Sequence, residues 1–460
     1  MADSTTARQP PGSAPAAPKV SNPYTHSRFG TLFSRQLPDY TGSYPVGVLD
    51  VEFPIEPQTI GSFRHKKLHT AGQAGIEIDT VLFSLFYPCQ TEVQGAQSEG
   101  KGTVWFPRAS PTVNGFLRMA GIENSLIRAL AYVGALSAVH GLKFPSHQRA
   151  PILPPPSGGK WPLIIFSHGV GCSRLMYTHI CGELASRGYV VAAVEHRDGT
   201  GPSAKITSED GKERDVDFLR WTDIDWPDRP ADQQPKDDNT LRHDQLKIRL
   251  VEMESTIEII RKITEGTLEN GSGRLLASRT LDWSKWKGLV EVGEGKVCLA
   301  GHSFGGTAAI VAAANPRFKP QSIIALDPAI ERLEPWNSTI PCPMLSVNSE
   351  EFVLSEDYQR LIRVSRTVQS KKHVFAIAGT THPSFSDVFL ITPGFVGSMT
   401  GLSVPPYTVF PATLHAIEAF LDTNTETGNI QLDSLGSPTE VMLSKPIGKP
   451  GELLRQTLAA

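Results

Sequence analysis

The chain has 460 residues, with 44 Lys and Arg against 47 Asp and Glu, a net charge of −3 and a pI near 6.5. That balance supplies no cationic surface of the kind that holds nucleic acid by counterion release, while the length allows one large α/β domain or two to three smaller ones. Five scattered cysteines, without C-x-x-C or zinc-ligand spacing, fit neither a disulfide framework nor a metal site and point to a reducing, cytoplasmic setting.

Residues 1–40 are rich in Pro, Ser, Thr and Gln and poor in aliphatics, which predicts a disordered tail. Met1 to Lys19 has no apolar core of a secretory signal, and Ala2 stands where myristoylation needs glycine. Val46 to Phe53, Thr80 to Tyr87 and Thr103 to Phe106 read as strands of an antiparallel lead-in to a sheet.

From Phe116 to Leu142, apolar residues recur at helical spacing (Leu117, Ile122, Leu126, Ile127, Leu130, Val133, Leu136, Val139). Charges interrupt the segment, and its uncharged part is about half the roughly 20 residues of a membrane span. It reads either as a helix packed on the domain or as an interfacial helix resting on a lipid surface.

Past the connector Pro151 to Lys160, Pro162 to Phe166 is a continuous apolar run of the type buried on both faces of a parallel sheet. It leads into Ser167 to Gly171, a helical Arg174 to Arg187 and a second buried strand, Tyr189 to Val194, completing a βαβ unit. Residues 199–240 are polar around an aromatic island (Phe218, Trp221, Trp226) and form a candidate lid. Leu246, Leu250, Met253, Ile257 and Ile260 then mark an amphipathic helix.

Val297 to Gly306 contains G-x-S-x-G (Gly301, His302, Ser303, Phe304, Gly305) between an apolar strand pattern and the helix-compatible Thr307 to Ala314. A bare match in a glycine-rich chain would carry little, but strand before and helix after make it a nucleophile elbow. Ser322 to Asp327, Pro343 to Val347 and His373 to Ile377 continue the strand series, with a helix over Tyr358 to Val364. Alternating strands and helices predict one doubly wound, mostly parallel sheet with helices on both faces. The expected organisation is a tail over 1–40, a catalytic domain over 41–425 including the 199–240 insertion, and a C-terminal tail over 426–460.

A serine hydroxyl needs a base, and the base needs an acid to hold its tautomer. Of the histidines after Ser303, His373 starts a strand and His415 lies in a helical pattern, whereas His382 sits in a loop just past the last strand, where the base belongs. For the acid, Asp327 ends one strand while Glu350 and Glu351 follow the next, and spacing alone leaves the choice open. The oxyanion hole needs two backbone N–H groups, one from Phe304 and one from Val170 in the His168 to Val170 loop. His168, His196 and His302 show no metal-ligand pattern and read as hydrogen-bonded histidines near strand ends.

FSHGVG (166–171), LASRGYVVAAVEHRD (184–198), GHSFGG (301–306), IALDPA (324–329), VNSEEF (347–352) and GTTHPSFSD (379–387) together resemble the plasma and intracellular type II branch of the platelet-activating-factor acetylhydrolases. The resemblance runs from Tyr44 to Phe420 and implies an α/β-hydrolase fold without a cofactor or metal. It implies a phospholipase A2 acting on short or oxidised sn-2 acyl chains, with Ser303 as nucleophile, Asp327 as acid and His382 as base. Val170 and Phe304 would form the oxyanion hole, and Glu350 and Glu351 are left as bystanders. The family's membrane-facing helix resembles 116–133, a second apolar patch matches 391–402, and a membrane or lipid-particle surface is the expected partner beside the phospholipid. The alternatives are a generic short-chain carboxylesterase and a non-catalytic binding protein on a hydrolase fold.

Overall fold

The computed structural model describes residues 34–66, 75–91, 101–122, 124–156, 158–268, 273–275, 282–392, 404–423, 432–439 and 448–456. The sheet is built from β1 (Val46–Ile60), β2 (Ile76–Pro88), β3 (Trp161–Ser167), β4 (Val190–Glu195), β5 (Val297–His302), β6 (Ser322–Leu326), β7 (Met344–Ser349), β8 (Lys372–Ile377) and β9 (Leu453–Gln456). Their spatial order is β1-β2-β4-β3-β5-β6-β7-β8-β9, with short strands at both edges. β1, β2 and β4 pair antiparallel, the strands from β4 through β8 run parallel, and β9 returns antiparallel.

The apolar runs make sense as strands covered on both sides. Leu163 and Ile165 of β3, Val190 and Ala192 of β4, and Leu299 of β5 face one core with α4 (Asn239–Glu265) and α5 (Phe304–Ala314). Their neighbours Ile164, Phe166, Val191, Ala193 and Ala300 face a second core with α3 (Thr178–Ser186) and α7 (Pro406–Thr423). The period-2 alternation of strand side chains thus feeds two cores from one sheet. This is the α/β-hydrolase architecture expected from the sequence, with the helix over 358–364 appearing as α6 (Glu356–Ser365).

Several segments depart from the expectation. Thr103–Val104 does not join the main sheet but pairs with Lys143–Phe144, closing a ribbon at the base of a helical hairpin. The helix expected over 116–142 is two helices, α1 (Ala109–Met119) and α2 (Ser125–Val139). Gly121 turns the chain at φ +64°, and the Asn124 side chain then accepts from the Leu126 and Ile127 amides to start α2. The 199–240 insertion holds a hairpin, Ser203–Thr207 with Glu213–Asp217, and is anchored by Ile224 and Trp226 in a small core with Phe63, Ile78 and Leu241.

Of the N-terminal tail only residues 34–40 fall in the described part. There Leu37 is buried, and the Tyr40 hydroxyl donates to the Thr178 carbonyl at 3.2 Å. The segment read as a C-terminal tail supplies β9 and its partner Ser437–Thr439, because Leu453 and Leu454 pack against the sheet edge beside β8. The apolar patch expected at 391–402 lies outside the described residues except for Ile391 and Thr392.

Candidate active site

Strand register brings the catalytic candidates to one edge. Gly301 of β5 is level with Ser167 of β3, His302 with Leu326 of β6, Leu326 with Val347 of β7, and Ser349 with Ile377 of β8. The residues that follow, His168 to Val170, Ser303, Asp327 and the loop to His382, therefore emerge together at the carboxyl ends of the strands, where open α/β sheets place their sites.

Ser303 stands between β5 and α5 at φ 56°, ψ −126°, the strained turn expected of an elbow. The two glycines that flank it have steric reasons to be there. A Cβ on Gly301 would lie 2.3 Å from the Gly305 carbonyl, and one on Gly305 would lie 1.9 Å from the Ser167 carbonyl oxygen. Gly169 comes so close to the serine that its own Cβ would sit 3.0 Å from Ser303 Cβ.

Asp327 is fully buried at φ 41°, and its Oδ2 lies 3.2 Å from His382 Nδ1. Ser349 donates to the same carboxylate twice, from N–H to Oδ1 and from O–H to Oδ2, both at 2.6 Å. A carboxylate accepts only, so Nδ1 of His382 carries the proton and Nε2 presents its lone pair. Burial disfavours the imidazolium of His382, but the hydrogen bond and charge of Asp327, with Glu351 and Glu331 further out, outweigh it and hold the pKa above the ordinary value. Of Asp327, Glu350 and Glu351, only the Asp327 carboxylate meets the His382 ring. Glu350 and Glu351 are not bystanders: Glu351 accepts from the His382 amide at 2.8 Å and Glu350 from the Gly379 amide at 3.0 Å, bracing the histidine loop by its backbone.

His302 links the base to the facing loop. Its Nε2–H donates to the His382 carbonyl at 3.1 Å, so Nδ1 accepts the Tyr177 hydroxyl proton at 2.7 Å, while the Tyr177 oxygen accepts from the Gly169 amide at 3.3 Å. Burial, then the neighbouring His382, keeps the His302 pKa well below the ordinary value, consistent with this neutral tautomer. Ligand atoms of His302, Asp327 and His382 lie within 4.8 Å of one another. Both ring nitrogens of His302 and Nδ1 of His382 are held by protein partners.

Val170, half-buried, follows Gly169, and Phe304, buried, follows Ser303. His168 and His196 are hydrogen-bonded histidines: the His196 amide donates to His168 Nε2 at 3.1 Å, and the His196 ring joins Ser167 Oγ to Glu252 Oε2, both at 2.7 Å. Burial holds His168 down to about 3 and raises Glu252 to about 7.

Sequence reasoning missed the supports underneath. Arg249 of α4, wholly buried, donates to Asp198 Oδ2, Thr200 Oγ1 and the His168 carbonyl, and its guanidinium lies 4.6 Å from the centre of the Phe304 ring. Burial raises the carboxyl of Asp198, but the Arg249 charge prevails and holds it at about 2. Asp387, five residues past His382, accepts from the Thr178 and His179 amides and the Thr178 hydroxyl, stapling the histidine loop to the start of α3. In the sequence Arg249 is one charge within the Leu246 to Ile260 pattern and reads as part of a solvated polar face.

The family model for platelet-activating factor acetylhydrolase, isoform II, matches residues 30–440. The chain belongs to the platelet-activating factor acetylhydrolase family. Among curated relatives, the platelet-activating factor acetylhydrolase of Gallus gallus is 28% identical over 295 residues, 63% of this chain and 66% of the relative. That of Canis lupus familiaris is 26% identical over 367 residues, 79% and 70%. The alignments therefore cover roughly two thirds of these acetylhydrolases rather than their full length. Among solved structures, a ferulic acid esterase from Streptomyces cinnamoneus aligns with a TM-score of 0.53 and 18% identity, over 91% of this chain and 98% of its own, a likeness of fold.

Proposed function

We propose that this chain is a carboxylic ester hydrolase of phospholipase A2 type, cleaving the sn-2 acetyl or short acyl ester of platelet-activating-factor-like phospholipids through an acyl-enzyme on Ser303. The observation that carries the reading is the contact of Asp327 with His382 Nδ1, at the same sheet edge as the Ser303 elbow and the Gly169 approach, in a chain of the acetylhydrolase family.

In this reading Ser303 Oγ attacks the ester carbonyl while His382 Nε2 takes its proton, and Asp327 balances the imidazolium. The Val170 and Phe304 amides receive the oxyanion. Collapse breaks the bond to the glycerol oxygen, which leaves with the proton from His382 as a lyso-phospholipid. His382 then deprotonates water, which attacks the acyl-enzyme and releases the carboxylic acid and free Ser303.

Access to lipid is assigned to α2. None of its side chains is buried, and Leu126, Leu130 and Val133 are 65–68% exposed on one face with Ile127 at 56%. Such a stripe fits the interfacial rather than the packed reading of this segment. No described helix is long and apolar enough to cross a membrane. All five cysteines are free thiols, which supports a reducing, cytoplasmic setting with peripheral membrane contact.

The test is a fluorophosphonate probe together with Ser303→Ala, assayed on 1-alkyl-2-acetylglycerophosphocholine and on analogues of increasing sn-2 length. Labelling at Ser303, loss of about four orders of magnitude or more in kcat for the variant, and a preference for short chains are expected. Unchanged hydrolysis by the variant would exclude the nucleophile, and equal turnover of simple phenyl esters and phospholipid would favour the carboxylesterase reading.

A further inference from the structure

A cavity of about 510 Å³ opens where the carboxyl end of β4 meets the 203–217 hairpin and the start of α1, and none of the five catalytic candidates lines it. Its apolar wall is Leu82, Phe106, Pro107 and Leu175, and its polar floor is Ser173 and Glu195. The volume is in the range of small-molecule sites.

The floor has hydrogen-bonding capacity that the protein does not use. Glu195 is 2% exposed, and its Oε2 accepts from the Arg174 side chain at 2.6 Å and the Arg174 amide at 3.3 Å, while Oε1 has no protein partner. Ser173 is 6% exposed, and its Oγ has no protein partner either. Buried polar atoms are almost always satisfied, and two unsatisfied ones on residues that line a single cavity are the pattern of a ligand site rather than of a packing defect.

The chemistry of these two atoms selects the ligand. A carboxylate oxygen only accepts, whereas a serine hydroxyl donates and accepts. A ligand hydroxyl that donates to Glu195 Oε1 and accepts from Ser173 satisfies both. Charge selects against ions, because the cations at the mouth are already neutralised: Arg108 by Asp215 at 2.5 Å, Arg274 by Glu52 at 2.9 Å, and Lys205 by Glu213. The floor arginine is shared between Glu195 and Asp50, the latter at 3.4 Å, so no free cation remains there for an anionic head.

We propose that this cavity is a non-catalytic binding site for an uncharged amphiphile carrying a hydroxyl on an apolar chain, seated on Leu82, Phe106 and Leu175 with its hydroxyl between Ser173 and Glu195. The site is coupled to the reaction by sequence: Ser173 follows directly on the 168–172 loop, whose Gly171 amide donates to the Thr200 carbonyl in the neighbouring insertion.

The test uses the full chain, labelled at Ser303 with a fluorophosphonate so that the catalytic cleft is closed, and titrates 1-octanol, octanoate and octylamine by isothermal calorimetry. Saturable one-to-one binding of 1-octanol is expected, with both charged analogues about tenfold weaker or more. Ser173→Ala removes an atom with no protein partner, so it is expected to fold normally and to weaken 1-octanol binding about three- to tenfold. Ala204→Phe, which fills the wall, is expected to abolish it. The proposal is overturned if 1-octanol shows no saturable binding, if both variants bind like wild type, or if binding is found only with Ser303 unlabelled, which would place the probe in the catalytic cleft. Since 1-octanol is not an ester, the outcome does not depend on which substrate the enzyme cleaves.

Discussion

The Arg249 guanidinium donates to the His168 carbonyl at 2.5 Å and lies against the Phe304 ring, so one buried side chain supports both stretches proposed to supply the oxyanion amides. The charge is held from the other side by Asp198 at 2.8 Å and by Thr200 at 2.7 Å. Arg249→Lys keeps the charge and loses the fork that spans four acceptors, the Ser167 hydroxyl being the fourth. Its expected effect is a fall in kcat of about ten- to a hundredfold, a fraction of what loss of one whole oxyanion donor costs, with KM nearly unchanged. Arg249→Met also strands the Asp198 carboxylate and is expected to destabilise the fold by about 3 to 5 kcal/mol, read as a lower midpoint of chemical denaturation. Equal kcat in wild type and the lysine variant would show the arginine to be structural only.

The bridge from Gly169 through Tyr177 and His302 to the His382 carbonyl ties the proposed oxyanion loop to the proposed base. Tyr177→Phe preserves the ring packing against Phe166, whose centroid is 5.0 Å away, while leaving His302 Nδ1 without its donor. The buried, unpaired nitrogen is expected to cost about 1 to 3 kcal/mol of stability. Steady-state kinetics on an acetyl ester are expected to show a kcat about tenfold lower with KM preserved, as for a loss of alignment felt in the transition state. A change confined to KM would assign the tyrosine to substrate binding instead.

The direction of the His382 shift sets the acid limb of activity. The ring must be neutral to accept the Ser303 proton, so kcat/KM is expected to fall as pH drops through a value above the ordinary imidazole pKa of about 6.5. Glu351→Gln keeps an acceptor for the His382 amide and removes a negative charge that favours the imidazolium. The acid limb is therefore expected to move to lower pH, by a few tenths of a unit for a charge partly screened by solvent. A shift to higher pH would refute the assignment. The same raised pKa stabilises the fold fully below the unfolded-state value, and that contribution is lost as pH rises through the folded-state value, so stability and activity respond to this residue in opposite directions.

Much of this architecture was legible because it rests on patterns the chain carries locally. Runs such as Pro162 to Phe166 and Val297 to Ala300 announce strands buried on both faces, and Ser303 and His382 sit at strand ends that periodicity can locate. The acid was not legible, because Asp327, Glu350 and Glu351 all follow strands and differ only in what lies opposite. Register separates them in space: Leu326 level with Val347 puts Asp327 against Ser349 and the His382 ring. Arg249 was invisible for a related reason. A charged residue within a helical stripe reads as solvated, and only the return of the Asp198 to Thr200 loop over α4 buries it. The break between α1 and α2 did carry a local signal, Gly121 followed by Asn124, which the apolar periodicity across it concealed.

That break also shapes the last prediction. Asn124 restarts the helix, and while Leu136 and Val139 at the end of α2 pack against the second core, Leu126 and Leu130, one turn apart, share an exposed stripe at its start. Burying a leucine in an apolar environment contributes about 1.5 to 3 kcal/mol, so Leu126→Glu with Leu130→Glu is expected to weaken binding to phosphatidylcholine vesicles about a hundredfold or more. Since neither side chain packs inside the protein, the double variant is expected to keep its thermal midpoint and its turnover of a water-soluble monomeric ester, while losing turnover of vesicle-borne substrate. Vesicle sedimentation and the two assays measure these separately. If the variant sediments with vesicles as wild type does, α2 is not the lipid-facing element; if soluble-ester turnover falls as well, the stripe contributes to the catalytic cleft rather than to docking.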